Sequence, residues 1–178
     1  MRPIIAAYSV SGDSTDMSTS VLQGLDSALV IALPDLPPVE PGSASVDGLV
    51  RLVGRKALSL ADMTHHGLPV PEAYVVTTAA YSRMLAHPLL TAAVAAVLAV
   101  AVEEDRTAEL VLVRKLLEEL PLPEDVAAAI VTGFRTLGAD AVAVRSSGTA
   151  EDMEQASFAG QYETYLNITD EAALLRAL

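Results

Sequence analysis

Val142-Ala143-Val144-Arg145-Ser146-Ser147-Gly148-Thr149-Ala150-Glu151-Asp152, running on through Ala156-Ser157-Phe158-Ala159-Gly160-Gln161 to Tyr162-Glu163-Thr164-Tyr165-Leu166-Asn167, decides how this chain folds. The apolar run predicts a strand over 140–145, the polar run a loop over 146–160, and the alternating Tyr162, Thr164 and Leu166 a second strand over 161–168. An arginine at the end of an apolar strand stands where open α/β sheets place their ligands. Its planar fork can hold two phosphate oxygens at once. Ser146, Ser147 and Thr149 supply hydroxyls, and Gly160 permits close backbone approach. A structural turn in which Arg145 pairs with Glu151 or Asp152 accounts for the same residues equally well.

Upstream, Val53-Gly54-Arg55-Lys56-Ala57-Leu58-Ser59-Leu60-Ala61-Asp62-Met63 leads into Gly67-Leu68-Pro69-Val70-Pro71 and on to Thr77-Thr78-Ala79-Ala80-Tyr81. Gly54 precedes a helix with Ala57, Leu60, Ala61 and Thr64 on one face, and Gly67 stops it. Lys56 after a glycine turn at a helix start suits a phosphate, because the dipole favours anions and the ammonium adds a point charge. By itself a Gly-x-Lys is a weak signal, since most lysines are merely solvated.

Between these segments the pattern predicts a strand over 73–77 and a helix capped by Thr78 through Leu85. A helical region follows from Pro88 to Leu120, interrupted near 103–107, and then a helix from Pro123 to Gly138. The apolar run 88–102 is shorter than the about 20 residues a membrane span needs and reads as a buried helix. Thr169 is read as the cap of a last helix that reaches Leu178 without a stop signal, as in a cut chain.

Residues 1–33 read as a strand, loop, helix and strand, with a Ser-Gly-Asp-Ser-Thr turn at 11–15. Residues 34–48, rich in proline, glycine and serine, read as a linker. The remainder, 49–178, is a separate unit, and the whole is α/β (α+β) in class. At 178 residues and 52% hydrophobic composition the chain can bury a core. Its net charge of -12 argues against nucleic-acid or anionic-membrane partners, and a site for an anion needs local cations. The absence of cysteine removes disulfides and thiolate metal sites. With no convincing signal-peptide core, the cytoplasm is the expected compartment.

The two segments together resemble the ATP-binding domain shared by phosphoenolpyruvate synthase, pyruvate phosphate dikinase and rifampicin phosphotransferase. The first is similar to that group's Gly-Gly-Lys-Gly/Ala helix and Gly-x-Pro-Val-Pro stretch. The second is similar to its Val-Arg-Ser-Ser-Ala-Thr-Ala-Glu-Asp and Ser-Phe-Ala-Gly-Gln run. The resemblance covers about residues 49–178 and implies the first part of an ATP-grasp domain, with a mixed sheet, a helical insert and an incomplete second lobe. It implies that Lys56 and Arg145 bind the ATP phosphates and that Gly160 and Thr164 contact the nucleotide, with Ser146, Ser147 and Gln161 as further candidates. No catalytic residue and no metal ligand is assigned. In the full-length group ATP is cleaved to AMP and phosphate with transfer through a histidine, and Mg2+ is expected with its ligands outside residues 1–178. The acceptor and phosphohistidine domains would lie there too.

Three departures stand out: Arg55 and Ala73 replace common glycines, and Gly148 a common alanine. If the turn at Arg55 needs a positive φ it is strained. Arg55→Gly is then expected to strengthen nucleotide binding, opposed by the lost charge. His65, His66 and His87 do not match a phosphohistidine motif or a helical metal pair. Three readings stay open: a piece of a phosphotransferase, a subunit completed by another chain, or a non-catalytic interaction module built around residues 1–48.

Overall fold

The computed structural model describes residues 4–7, 25–38, 44–100, 105–146 and 164–178. Five strands form one mixed sheet: β1 (Ile4–Ala7), β2 (Val30–Ala32), β3 (Ala73–Val76), β4 (Val142–Ser146) and β5 (Thr164–Ile168), in the order β2-β3-β1-β4-β5. The three inner strands are parallel, with Ile4 opposite both Ala73 and Ala143. The two edges run antiparallel to their neighbours. The helices are α1 (Ala44–His65), α2 (Thr78–Leu85), α3 (Pro88–Ala99), α4 (Thr107–Glu119), α5 (Glu124–Leu137) and α6 (Glu171–Arg176).

β3 shows how the layers arise. All four of its residues are buried, and side chains alternate across a strand. Ala73 and Val75 join one core with Leu49, Val53, Ala57 and Ala61 of α1. Tyr74 and Val76 join a second core with Val126 and Ile130 of α5 and Leu174 of α6. Each fully buried aliphatic side chain contributes about 1.5–3 kcal/mol. The Tyr74 hydroxyl donates to the Ile130 carbonyl at 2.9 Å, and burial pushes its pKa up.

Several expectations need correction. The proline-rich stretch is no spacer, because Leu33 and Leu36 are buried against α1, around a 3-10 turn at Leu33–Asp35. A helix does open after Gly54 as expected, but Ala44 already begins another one ten residues earlier, and the two join at Gly54 within α1. Its apolar positions 49, 50, 52 and 53 all find cover in the core, which overrides weak local signals. The boundary drawn at 34–48 does not separate two sheets, since β1 sits between β3 and β4.

Two caps shift by one residue. Thr77, not Thr78, precedes α2, and its hydroxyl donates to the Ala28 carbonyl rather than capping. Asp170, not Thr169, caps α6 by accepting from the Ala173 N–H at 2.8 Å. The expected glycine stops hold: Gly67 and Gly138 take φ of 71° and 57°. The turn expected at 11–15 lies outside the described residues.

The helix expected to be buried is largely exposed. Only Leu90 and Ala93 of α3 are buried, and α4 buries none of its residues, so the pair packs mainly on itself. Among the described residues no single helix is long and apolar enough to cross a membrane. Leu98 is 74% exposed, and Leu89, Leu110, Val111 and Leu112 are exposed on the same hairpin. Large apolar side chains exposed together on one hairpin offer a surface for association. The purified protein should therefore self-associate with rising concentration, and Leu98→Gln with Leu110→Gln should reduce that association. Sedimentation velocity showing a monomer throughout, unchanged by the pair of substitutions, would count against this reading.

Candidate nucleotide site

Arg145 owes its position to strand alternation. Val142 and Val144 of β4 pack into the α5 side, so the intervening residues face α1. Arg145 is the first of these to emerge beyond the covered part of the strand, and it is exposed. β1 holds this end of β4 from one side, with Ala6 opposite Arg145 and Ala7 opposite Ser146. On the other side Thr164 of β5 stands opposite Arg145. Directly paired residues project from the same face, so the exposed Thr164 shares the face of Arg145.

Lys56 owes its position to a broken helix. Gly54 has φ 72° and ψ 165°, a conformation open essentially to glycine alone. The chain leaves helical geometry for one residue and restarts, so Arg55 to His65 begins as a new helix with its positive dipole end at Lys56. Arg55 does not take a positive φ; Asn167 is the one described non-glycine residue that does. The turn strain expected at Arg55 is therefore absent, and with it the steric reason for Arg55→Gly to strengthen binding.

These two devices bring Lys56 and Arg145, 89 positions apart in sequence, onto one cavity of about 280 Å³. The Lys56 ammonium lies 3.4 Å from the Ser146 carbonyl oxygen, a long hydrogen bond that spans α1 and β4. Ser59 and Ser146 complete the polar rim, over a floor of Ala57, Leu60, Ala73 and Val75. Among the described residues the buried Ser146 hydroxyl oxygen has no hydrogen-bond partner. A buried hydroxyl without a partner costs about 1–3 kcal/mol, which a ligand oxygen could relieve. Among the described residues no carboxylate or histidine lines the cavity. Its volume is at the low end of the about 300–1,000 Å³ of ligand pockets.

Lys56, Arg145 and Ser146 are thus together, and Thr164 is adjacent through the β4–β5 pairing. Ser147, Gly160 and Gln161 lie outside the described residues, as do Glu151 and Asp152. Among the described residues Arg145 forms no ion pair, whereas Arg83, Arg114, Lys115 and Arg135 are each bound to a carboxylate. The sequence reading missed Ser59, although three residues from Lys56 is one helical face. It expected a strand near the N-terminus but not its place between β3 and β4, because parallel pairing with strands more than sixty residues away leaves no local mark.

The histidines are occupied structurally. His65 Nε2 lies 2.7 Å from the Leu36 carbonyl, pinning α1 to the proline-rich segment. His66 turns back to the Asp62 carbonyl at 2.9 Å, and His87 accepts from the Leu89 N–H at 3.3 Å. Among the described residues no three His, Asp or Glu are grouped to hold a metal ion.

Residues 50–178 match the model of the pyruvate phosphate dikinase AMP/ATP-binding domain. The chain is 43% identical over 129 residues to a probable phosphoenolpyruvate synthase of Methanocaldococcus jannaschii, covering 67% of this chain and 11% of that protein. It is 39% identical over 133 residues to the phosphoenolpyruvate synthase of Aeropyrum pernix, covering 69% and 16%. It is also 39% identical over 132 residues to the rifampicin phosphotransferase of Streptomyces sviceus, covering 71% and 15%. The chain therefore spans about a ninth to a sixth of the length of these relatives. With a cationic cleft assembled by two segments that both lie inside the matched region, the chain belongs to the family of the pyruvate phosphate dikinase AMP/ATP-binding domain.

Proposed function

We propose that this chain is the ATP-binding portion of a phosphotransferase of the phosphoenolpyruvate-synthase or rifampicin-phosphotransferase kind, contributing the first part of an ATP-grasp domain. The observation that carries the reading is the convergence of Lys56 and Arg145 on one cavity. In this reading the two cations neutralise phosphate charge and fix the phosphate chain, which is the protein's main task in phosphoryl transfer. Ser146 satisfies its buried hydroxyl on a phosphate oxygen, and Thr164, Gly160 and Gln161 approach the rest of the nucleotide.

The described residues lining the cavity do not fit a magnesium ion, since they offer no carboxylate. The metal is read as a companion of the nucleotide, with its protein ligands on the second lobe, and the histidine that carries the phosphoryl group on a separate domain. A separate chain bearing those parts could restore a closed site, because closure excludes water and strengthens each charge contact. The exposed hairpin of α3 and α4 and the exposed edge strand β5 leave surface for such contact.

On its own the 178-residue protein should bind ATP weakly and not turn it over, because cations on an open cleft are screened by water and salt. AMP formation from ATP is the assay, with Lys56→Ala and Arg145→Ala as controls. Sustained turnover that both substitutions abolish would show a complete catalyst and sink the proposal.

A further inference from the structure

We infer that Arg55 sets the charge preference of the cleft, favouring ATP over AMP. The inference rests on the reading of the cleft as a nucleotide site and adds a residue that the reading does not need. Positions 48–61 carry Arg51, Arg55 and Lys56 and no carboxylate, in a chain whose net charge is -12. This is a local island of positive charge in a negative field, and it sits at the helix restart beyond Gly54, where the dipole adds to it.

Within the island the roles separate by geometry. Lys56 lines the cavity and reaches the Ser146 carbonyl. Arg55 is exposed, is outside the cavity lining, and forms no ion pair among the described residues. Neighbouring helical residues point about 100° apart, so Arg55 cannot duplicate the contact of Lys56. Its charge, one residue from Lys56 and outside the lining, acts on the part of a ligand that extends beyond the cavity. A single phosphate is met by the two cations on the cavity, Lys56 and Arg145. A triphosphate carries further charge beyond them, and Arg55 is the nearest cation in sequence left to receive it. Backbone strain does not explain the residue, because Arg55 has no positive φ.

The test is a titration of the purified 178-residue protein with ATP and with AMP, at low and at high salt, for the wild type, Arg55→Gln, Arg55→Gly and Lys56→Ala. Circular dichroism checks that each variant keeps its fold, as an exposed position should allow. Arg55→Gln and Arg55→Gly should weaken ATP about two- to fivefold, the range of an exposed charge pair, with AMP little changed. The salt dependence of ATP binding should become shallower in both. Lys56→Ala should weaken both nucleotides. If Lys56→Ala weakens both while the Arg55 variants keep the wild-type ATP-to-AMP ratio, the inference fails and the site reading stands. If Lys56→Ala changes neither, or the wild type binds neither, the site reading fails and the inference with it.

Discussion

Lys56→Ala and Arg145→Ala should each weaken ATP binding by roughly 5- to 30-fold, and the double substitution should cost less than the product of the two. A hydrogen bond to a charged group contributes about 1.5–3 kcal/mol. Both side chains are exposed, so solvent screening leaves about 1–2 kcal/mol apiece. Coupling is expected because both line one cavity and the Lys56 ammonium touches the carbonyl of the residue after Arg145. Removing either frees a phosphate to shift toward the other. Calorimetric titration of the four proteins measures the cycle. Independent, fully multiplicative losses would place the two cations on separate ligands, and no loss for either would remove the cleft from nucleotide binding.

Gly54→Ala should damage both stability and binding. With φ 72° and ψ 165°, an alanine at this buried position meets backbone strain of about 1–3 kcal/mol. The usual helix-propensity gain of alanine over glycine does not offset it, because residue 54 is not helical. The chain can escape the strain by winding the break into a continuous helix. That would turn Lys56 away from Arg145 and carry Leu49, Val50, Leu52 and Val53 out of register with Ala57, Leu58 and Ala61 in the core. Urea unfolding should show a lower midpoint, and ATP titration a weaker constant even where the variant remains folded. A midpoint and an affinity both equal to the wild type would show that the break has no part in holding the site. The same geometry is why Arg55→Gly is now expected to weaken binding rather than strengthen it.

The residue pattern alone determined the family, the two segments that meet, and most element positions from Gly67 onward. Those features are local. Gly67 and Gly138 terminate helices through their own backbone freedom, and Pro69 and Pro71 break the pattern where they stand. Strand and helix periods in β3, β4 and α5 are written in their own residues. Lys56 and Arg145 could be singled out because each sits at the end of such an element.

Tertiary structure decided what depends on distant partners. Residues 44–48 look like the end of a linker, yet they open the helix whose Leu49, Leu52 and Val53 pack on the side of the sheet formed by Ala73 and Val75. The apolar run of α3 looks like core, but only Leu90 and Ala93 of it are buried, because the helix packs mainly on α4. β1 acquires its place between β3 and β4 through backbone hydrogen bonds, which have no side-chain signature. Which face Arg145 points to follows from the burial of Val144, and which glycine carries the break follows from a dihedral angle at Gly54 rather than from a motif. The cleft itself exists only because those two facts hold together, one on a strand and one on a helix. Its chemistry was therefore legible in the residues, while its geometry belongs to the packing of α1 across the sheet.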